Sequence, residues 1–184
     1  MSEAIAELYN MNCIDHEIMV NLGMQIYYYG IGNYEIHYKE AVKWCERGVE
    51  IGYPLSYERL AYCYIYGDYV KRDDEKVMEY YKKAYQMGRG NAARQIAYMY
   101  IKEYGVKRNN NTVYEWLRKA IEMGDTDAII DLANCYYEGI GQEKNINEAK
   151  KCLKIALEKD IDEATVFLGK IAVEEKDYIT AVTY

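Results

Sequence analysis

Residues 128–139 read AIIDLANCYYEG, and the features of this segment return along the chain every 36 residues. At its centre stands a small residue, Ala133, with a leucine directly before it and a tyrosine three residues after it. The equivalent small residues elsewhere are Ala61, Ala97 and Gly169. Three further series share the period: Trp44, Tyr80, Trp116 and Cys152; Gly48, Ala84, Ala120 and Ala156; Gly52, Gly88, Gly124 and Asp160. Four series with one period indicate a tandem repeat of similar units.

Each unit is predicted to be a helix, a loop and a second helix. In the first helix, the small residues allow a neighbouring backbone to approach closely, and large residues lie about one turn away on the same side. The tyrosines three residues after the small ones are predicted to be core: Tyr64, Tyr100 and Tyr136. Glycines that favour a left-handed cap are predicted to end these helices: Gly67, Gly105 and Gly139.

The second helix of each unit carries its own start signal. Residues with side-chain oxygens that can cap a helix recur 36 apart: Asp73, Asn109 and Asn145. In the last of these, Glu148 follows three residues later and is predicted to complete a capping box. Glu and Lys four residues apart, as in Glu79 and Lys83, mark the face exposed to water.

The pattern A-x3-L-G/A-x2-Y-x2-G, matched in full by residues 128–139, resembles the Sel1-like repeat family, a relative of the tetratricopeptide repeats. The resemblance implies an all-α fold, a right-handed α/α superhelical solenoid of helix-turn-helix repeats that serves in protein binding. We expect one repeat domain over 1–184, with a capping helix at 1–14 and an incomplete repeat at 161–184. The repeats between them are placed at 15–52, 53–88, 89–124 and 125–160.

The composition bounds the class of protein. The chain has 184 residues, 30 Asp and Glu against 23 Lys and Arg, and a formal charge of −7. No apolar run is long enough to span a membrane, and the acidic first residues resemble no secretory signal, so a cytoplasmic protein is expected. The 5 cysteines include no CxxC pair and are predicted to be reduced and apolar. A disulfide between helices, as in some secreted repeat proteins, is the alternative.

The sequence predicts no enzyme, cofactor or metal site. His16 and His37 are the only 2 histidines, and neither has a cysteine or histidine at metal-ligand spacing. No nucleophile, base and orienting group occur together. The segments 30–32 and 139–141 read Gly-Ile-Gly, but they follow helices rather than strands, which excludes a phosphate-binding loop.

The resemblance places the first helices on the concave face of the solenoid. There the residues one and four positions after the small one, and three before it, turn toward the groove. The predicted partner-binding residues are Tyr62, Arg94, Tyr98, Asn134 and Tyr137. Tyrosine and arginine are favoured anchors for peptides and proteins. The alternative is that the exposed tyrosines are incidental, because such residues are common on surfaces.

Three further hypotheses accompany the scaffold or adaptor function. The protein could be a regulator or inhibitor that occupies the surface of an enzyme complex. It could also bind nucleic acid through Lys71-Arg72 and Lys107-Arg108, although the net charge of −7 opposes phosphate binding. A homodimer through the C-terminal end is expected, because the incomplete repeat leaves apolar side chains uncovered. These are Val166, Phe167, Ile171, Tyr178 and Val182.

Overall fold

The structure, a computed structural model, describes residues 38–66, 70–140, 142–177 and 179–180. Several predicted features lie outside the described residues. They are the capping helix at 1–14, the two histidines, the loop at 30–32, Gly67, Tyr178 and Val182.

Within the described ranges the chain is helical and contains no strand. The helices divide between two compact units, separated at Arg89 and Gly90. The first unit contains α1 (Tyr38–Glu50), α2 (Pro54–Tyr66) and α3 (Asp74–Gln86). The second contains α4 (Gly90–Lys102), α5 (Asn110–Glu122), α6 (Asp127–Glu138), α7 (Ile146–Leu157) and α8 (Glu163–Glu174). Inside each unit every helix packs against the next one along the chain.

The helix bounds follow the repeat. Segments 53–88, 89–124 and 125–160 each hold two helices joined by a loop, as the spacing predicts. The small residues Ala61, Ala97 and Ala133 are fully buried, so they lie where helices approach most closely. The neighbouring core positions Leu60, Ile96 and Leu132 are buried with them.

The three tyrosines predicted to be core are only half-buried. The ring of Tyr64 lies 5.9 Å from that of Tyr80, while its hydroxyl accepts a hydrogen bond from Lys76 Nζ at 3.4 Å. The ring of Tyr136 similarly lies 5.1 Å from that of Tyr114. A phenolic hydroxyl needs a polar partner, so these rings pack at the edge of the core with their polar ends toward the surface.

The predicted capping residues begin the second helices. Their side-chain oxygens accept from the backbone three residues on: Asp73 Oδ1 from Lys76 N at 3.1 Å, Asn109 Oδ1 from Thr112 N at 3.3 Å, and Asn145 Oδ1 from Glu148 N at 3.1 Å. The capping box is not completed as predicted. The Glu148 carboxylate binds Lys151 Nζ at 2.6 Å, and the backbone N–H of Asn145 donates to Tyr136 O at 2.8 Å.

Where the residues after a first helix are described, a left-handed residue follows it, but this residue is not always the predicted glycine. Gly139 caps α6 with φ 69°, as expected. In α4 the first left-handed residue is Glu103, with φ 58°, and Gly105 lies two residues further on. Position 139 requires glycine more strongly, because a Cβ there would lie 3.1 Å from the backbone of Gln142 and of Lys144.

The turns between repeats supply a stability prediction. Gly52, Gly88 and Gly124 have φ values of 74°, 93° and 87°, and their counterpart Asp160 has φ 58°. No heavy atom lies within 4 Å of a Cβ built on Gly124, so only the backbone conformation opposes a side chain. We expect Gly124→Ala to lower the free energy of unfolding by about 1 kcal/mol, measured by urea denaturation. Asp160→Gly is the reverse control and should raise the urea midpoint. A Gly124→Ala protein as stable as the wild type would contradict this account.

The last described helix corrects one part of the predicted C-terminal surface. Ile171 is fully buried, although it was expected to be uncovered. Phe167 is half-buried, whereas Val166 is 76% exposed. Preceding helices therefore cover part of α8 even without a following repeat, and α8 packs against α7. Self-association through Val166 stays a prediction.

The described cysteines are buried and form no disulfide with one another: Cys45, Cys63, Cys135 and Cys152. A hydrogen bond to Cys63, together with burial, raises the pKa of Cys45 above its usual range. Burial raises the pKa of Cys135 to about 12. Such thiols remain protonated and unreactive at neutral pH, in keeping with their predicted role as small apolar residues.

Candidate functional site

A cleft in the second unit brings together three of the five predicted partner-binding residues. We call it the Tyr98 cleft; its volume is about 210 Å³. Its lining comes from α4 and α6, together with Leu117 of α5 and Ile140 directly after α6. The lining includes Arg94, Tyr98, Ile101, Asp131, Asn134 and Cys135.

Repeat register explains why Tyr98 and Asn134 share this cleft. Each follows directly on a buried alanine, Ala97 in α4 and Ala133 in α6, and the two positions are 36 residues apart. Successive residues of a helix are rotated by about 100°. A residue directly after one that faces the neighbouring helix therefore turns away from the packed interface, and it does so in the same direction in each repeat.

The cleft combines an apolar floor with aromatic and amide groups at its rim. Leu117 and Cys135 are almost completely buried, whereas Tyr98 is 44% exposed and Asn134 is also exposed. Lys102 Nζ lies 5.5 Å from the centroid of the Tyr98 ring. The edge of that ring also meets Tyr104, with 6.2 Å between ring centroids. The cleft is thus a small site that combines apolar side chains with charged and amide groups.

Arg94 is held by acidic neighbours rather than being free in the groove. Its Nε donates to Asp125 Oδ2 at 2.8 Å, and Nη2 donates to Asn91 Oδ1 at 3.0 Å and Asp127 Oδ2 at 3.2 Å. Nη1 lies 3.7 Å from Asp131 Oδ2. Arg94 thus lines the cleft with its guanidinium already engaged, and its role in partner binding stays a prediction. Arg94 links α4 to the turn after α5 and to the start of α6, because its guanidinium binds carboxylates from both segments.

The charged residues that line the cleft are two cations, Arg94 and Lys102, and one carboxylate, Asp131. One guanidinium faces Asp125, Asp127 and Asp131. Asp125 is only 9% exposed, while the side chain of Asp131 is 46% exposed. Burial raises the pKa of Asp131; Arg94 acts against this shift, and the carboxylates of Asp125 and Asp127 add to it.

Tyr137 does not face an open groove, which corrects the expectation for this residue. It is 4% exposed, and its ring meets Phe167 of α8 edge to face at 5.2 Å between centroids. The ammonium groups of Lys144 and Lys170 lie 4.2 Å and 4.6 Å from the ring centroid. The hydroxyl donates to Glu174, and this bond raises the pKa of Tyr137 to about 12. Phe167 of α8 and the two lysines cover this tyrosine, so it acts in packing.

In the first unit, Tyr62 of α2 occupies the repeat position that Tyr98 has in α4. It is half-buried against a core cluster that includes Leu60 and Cys63, and its ring lies 4.3 Å from that of the exposed Tyr66. The tyrosine therefore contributes to packing as well as to the surface of α2.

Asp131 lines the cleft but is not among the predicted partner-binding residues. The available signal was its spacing, because Asp131 precedes Asn134 by three residues and therefore lies on the same side of α6. Two salt bridges at equivalent repeat positions were also not predicted from the sequence. Glu58, 5% exposed, binds Arg89 at 3.0 Å, and 36 residues later Arg94 binds Asp125 with the charges exchanged.

A second, more open cleft lies in the first unit between the two helices of one repeat. Its volume is about 420 Å³, and its lining consists of Tyr64, Val70, Lys71, Arg72, Asp73 and Lys76. Acidic groups already engage some of its cations. Arg72 Nε lies 2.8 Å from Asp74 Oδ1, and Lys76 Nζ lies 4.0 Å from Asp73 Oδ2. These pairs reduce the positive potential on which the nucleic-acid hypothesis relies.

In the part of the chain that the structure describes, no group of 3 or more His, Cys, Asp or Glu side chains could hold a metal ion. Nor does any helix in these ranges have the length and apolarity that crossing a membrane requires.

A family model and several solved structures match the chain. The Sel1 repeat model matches residues 17–53, 54–88, 90–125 and 126–161. A Sel1 repeat protein from Oxalobacter formigenes is 25% identical with a TM-score of 0.72, and the match covers 85% of this chain and 63% of that one. A protective antigen of uropathogenic Escherichia coli with an SLR fold is 28% identical with a TM-score of 0.70, covering 88% and 34%.

The Helicobacter pylori cysteine rich protein B is 21% identical with a TM-score of 0.53, covering 74% of this chain and 98% of that one. At this identity the likeness concerns the fold alone. Among curated proteins, none matches the chain. The chain spans less than two thirds of the length of the Oxalobacter and Escherichia structures, at 63% and 34%.

Proposed function

Because the chain belongs to the Sel1 repeat family, we propose that it is a protein-interaction module that binds a peptide or protein partner through the Tyr98 cleft. Sel1 repeat proteins generally mediate protein–protein interaction, and they are generally scaffolds rather than enzymes. The proposal adds the location of the binding surface to this family property. A scaffold or adaptor that collects partners is the form of the function that we favour.

The observation that carries the proposal is the pairing of an exposed tyrosine and an exposed amide above a buried apolar floor. Tyr98 and Asn134 come from successive first helices, so the repeat itself holds them side by side. The half-buried Ile101 and Ile140 line the same cleft and offer apolar surface that a partner side chain can reach. Tyrosines beside such pockets are frequent binding hot spots, because the ring buries a large area at a small cost in conformational entropy. Tyr62 is proposed as a contact of the same kind in the first unit.

A double substitution tests the cleft. Tyr98→Ala with Asn134→Ala should weaken binding of a captured partner about thirtyfold, which corresponds to about 2 kcal/mol. The physical reason is that the aromatic wall and its amide neighbour are both lost while the core residues remain. Partners would be captured from the host with the immobilised protein, identified by mass spectrometry, and their affinities measured by titration calorimetry.

Ile155→Ala is the matched control. Ile155 is an exposed apolar residue of α7, the second helix of its repeat, and it does not line the cleft. Its partner affinity should equal that of the wild type. A partner bound by the double variant with wild-type affinity would remove the cleft from the proposal and direct attention to the convex face. An adaptor should also bind short peptides from its partner, whereas an inhibitor of an enzyme complex should require the folded partner.

A further inference from the structure

The more open cleft in the first unit has a positively charged lining. We call it the Tyr64 cleft; three of the residues that line it are cations, Lys71, Arg72 and Lys76, and one is a carboxylate, Asp73. Asp74 lies outside the lining, and its Oδ1 pairs with Arg72 Nε at 2.8 Å. With both acids counted, the cleft keeps one positive charge in excess.

Two hydrogen-bond donors in this cleft lie close enough together to hold one carboxylate. Lys76 Nζ donates to the Tyr64 hydroxyl at 3.4 Å, and the Tyr64 ring packs 5.9 Å from the ring of Tyr80. Because the hydroxyl accepts this bond, its own proton is directed elsewhere and can be given to a ligand. The two oxygens of a carboxylate can therefore accept from the hydroxyl and the ammonium together.

The lysines of the cleft retain capacity for a ligand. An ammonium has three donor hydrogens, and the bond to Tyr64 uses one of those on Lys76. Asp73 Oδ2 lies 4.0 Å from Lys76 Nζ, which is too far for a hydrogen bond. Lys71 is exposed, and within the part of the chain that the structure describes no ion pair involves it. The hydrogen bond from Tyr64 also raises the pKa of Lys76, which keeps this ammonium charged at neutral pH.

We infer that the Tyr64 cleft binds an acidic side chain, glutamate or aspartate, of a protein partner. The carboxylate would accept from Lys76 and Tyr64, and Lys71 would add a third cationic donor. The half-buried Val70 lines the same cleft and offers apolar surface to the stem of the acidic side chain. This site lies in the first unit, so the inference does not depend on the Tyr98 cleft.

Other occupants fit the charges less well. A cationic side chain would meet three like charges against a single lining carboxylate. A purely apolar side chain would cover the lysines and take water from them without replacing its hydrogen bonds. Nucleic acid relies on many phosphate contacts, whereas an excess of one positive charge balances a single carboxylate, and the chain as a whole has a charge of −7.

The test uses short peptides that differ at one residue and carry no other charge. Acetyl-Gly-Gly-X-Gly-Gly-amide, with X as glutamate, glutamine, lysine or leucine, would be titrated into the isotope-labelled full chain. Amide chemical shifts of Val70, Arg72 and Lys76 report on the cleft. We expect the glutamate peptide to shift these amides and to bind about tenfold more tightly than the glutamine peptide. Its affinity should fall as salt is added, since the attraction is electrostatic.

Three variants locate the binding in the cleft. Lys76→Gln should weaken binding of the glutamate peptide about tenfold and leave binding of the glutamine peptide unchanged. Tyr64→Phe keeps the ring and removes the hydroxyl donor, so we expect a loss of about threefold. Lys154→Gln is the matched control with the same change of charge at an exposed lysine of α7, and it should have no effect. If Lys76→Gln does not fold, Lys71→Gln gives the same comparison.

Four results would overturn the inference. They are equal affinity for the glutamate and glutamine peptides, preferential binding of the lysine or leucine peptide, no shift of the cleft amides by any peptide, and an equal loss in Lys154→Gln and Lys76→Gln. A short oligothymidine that shifts the same amides and binds more tightly than the glutamate peptide would assign the cleft to nucleic acid instead. None of these results alters the comparison of Tyr98→Ala with Asn134→Ala against the wild type, which tests the proposed function separately.

Discussion

Tyr137→Ala is expected to lower the free energy of unfolding by about 3–5 kcal/mol, the usual cost of removing a buried aromatic ring. Tyr137 is 4% exposed and packs against Phe167 of α8. Its removal would leave a cavity between α6 and α8 and take away the ring beneath Lys144 and Lys170. Urea denaturation followed by circular dichroism would measure the loss.

Two other tyrosine variants make this prediction specific. Tyr98→Ala removes a ring of the same size from the equivalent repeat face, but Tyr98 is 44% exposed, so we expect a loss below about 1 kcal/mol. Tyr137→Phe keeps the ring and removes only the hydrogen bond to Glu174, with an expected loss of about 1 kcal/mol. Similar losses for Tyr137→Ala and Tyr98→Ala would show that Tyr137 is not a packing residue.

Arg94→Met should destabilise the second unit by about 3 kcal/mol, because it leaves a buried carboxylate without its counter-ion. Asp125 is 9% exposed and lies 2.8 Å from Arg94 Nε. Methionine preserves most of the aliphatic volume of arginine, so the loss reports mainly on charge and hydrogen bonding. The effect should be visible as a lower urea midpoint and as faster amide exchange in α4 and α6.

The first unit suggests a rescue experiment for the same ion pair. At the equivalent repeat positions, Glu58 and Arg89 form the bridge with its charges exchanged. The double variant Arg94→Glu with Asp125→Arg copies that arrangement, and it should recover more than half of the stability lost in Arg94→Glu alone. A double variant less stable than the single one would mean that the pair does not account for the role of Arg94.

Part of the candidate site was predictable from the sequence because a repeat turns local spacing into a spatial relation. The 36-residue period places Tyr98 and Asn134 at equivalent points of successive first helices, and the structure finds both in one cleft. The roles of Arg94 and Tyr137 were not predictable in this way. Their surroundings depend on residues 31 and 37 positions away, such as Asp125 and Glu174, whose side chains vary between repeats.

Helix positions, the caps at Asp73, Asn109 and Asn145, and the small residues in the core all follow from the sequence alone. These features depend on hydrogen bonds and packing within a few residues, or on a spacing that every unit shares. Tertiary structure was needed to show that Tyr137 and Ile171 are buried and that acids hold Arg94. A side chain on a helix face is exposed or covered according to what the adjacent helix presents to it, and helical periodicity carries no information about that neighbour.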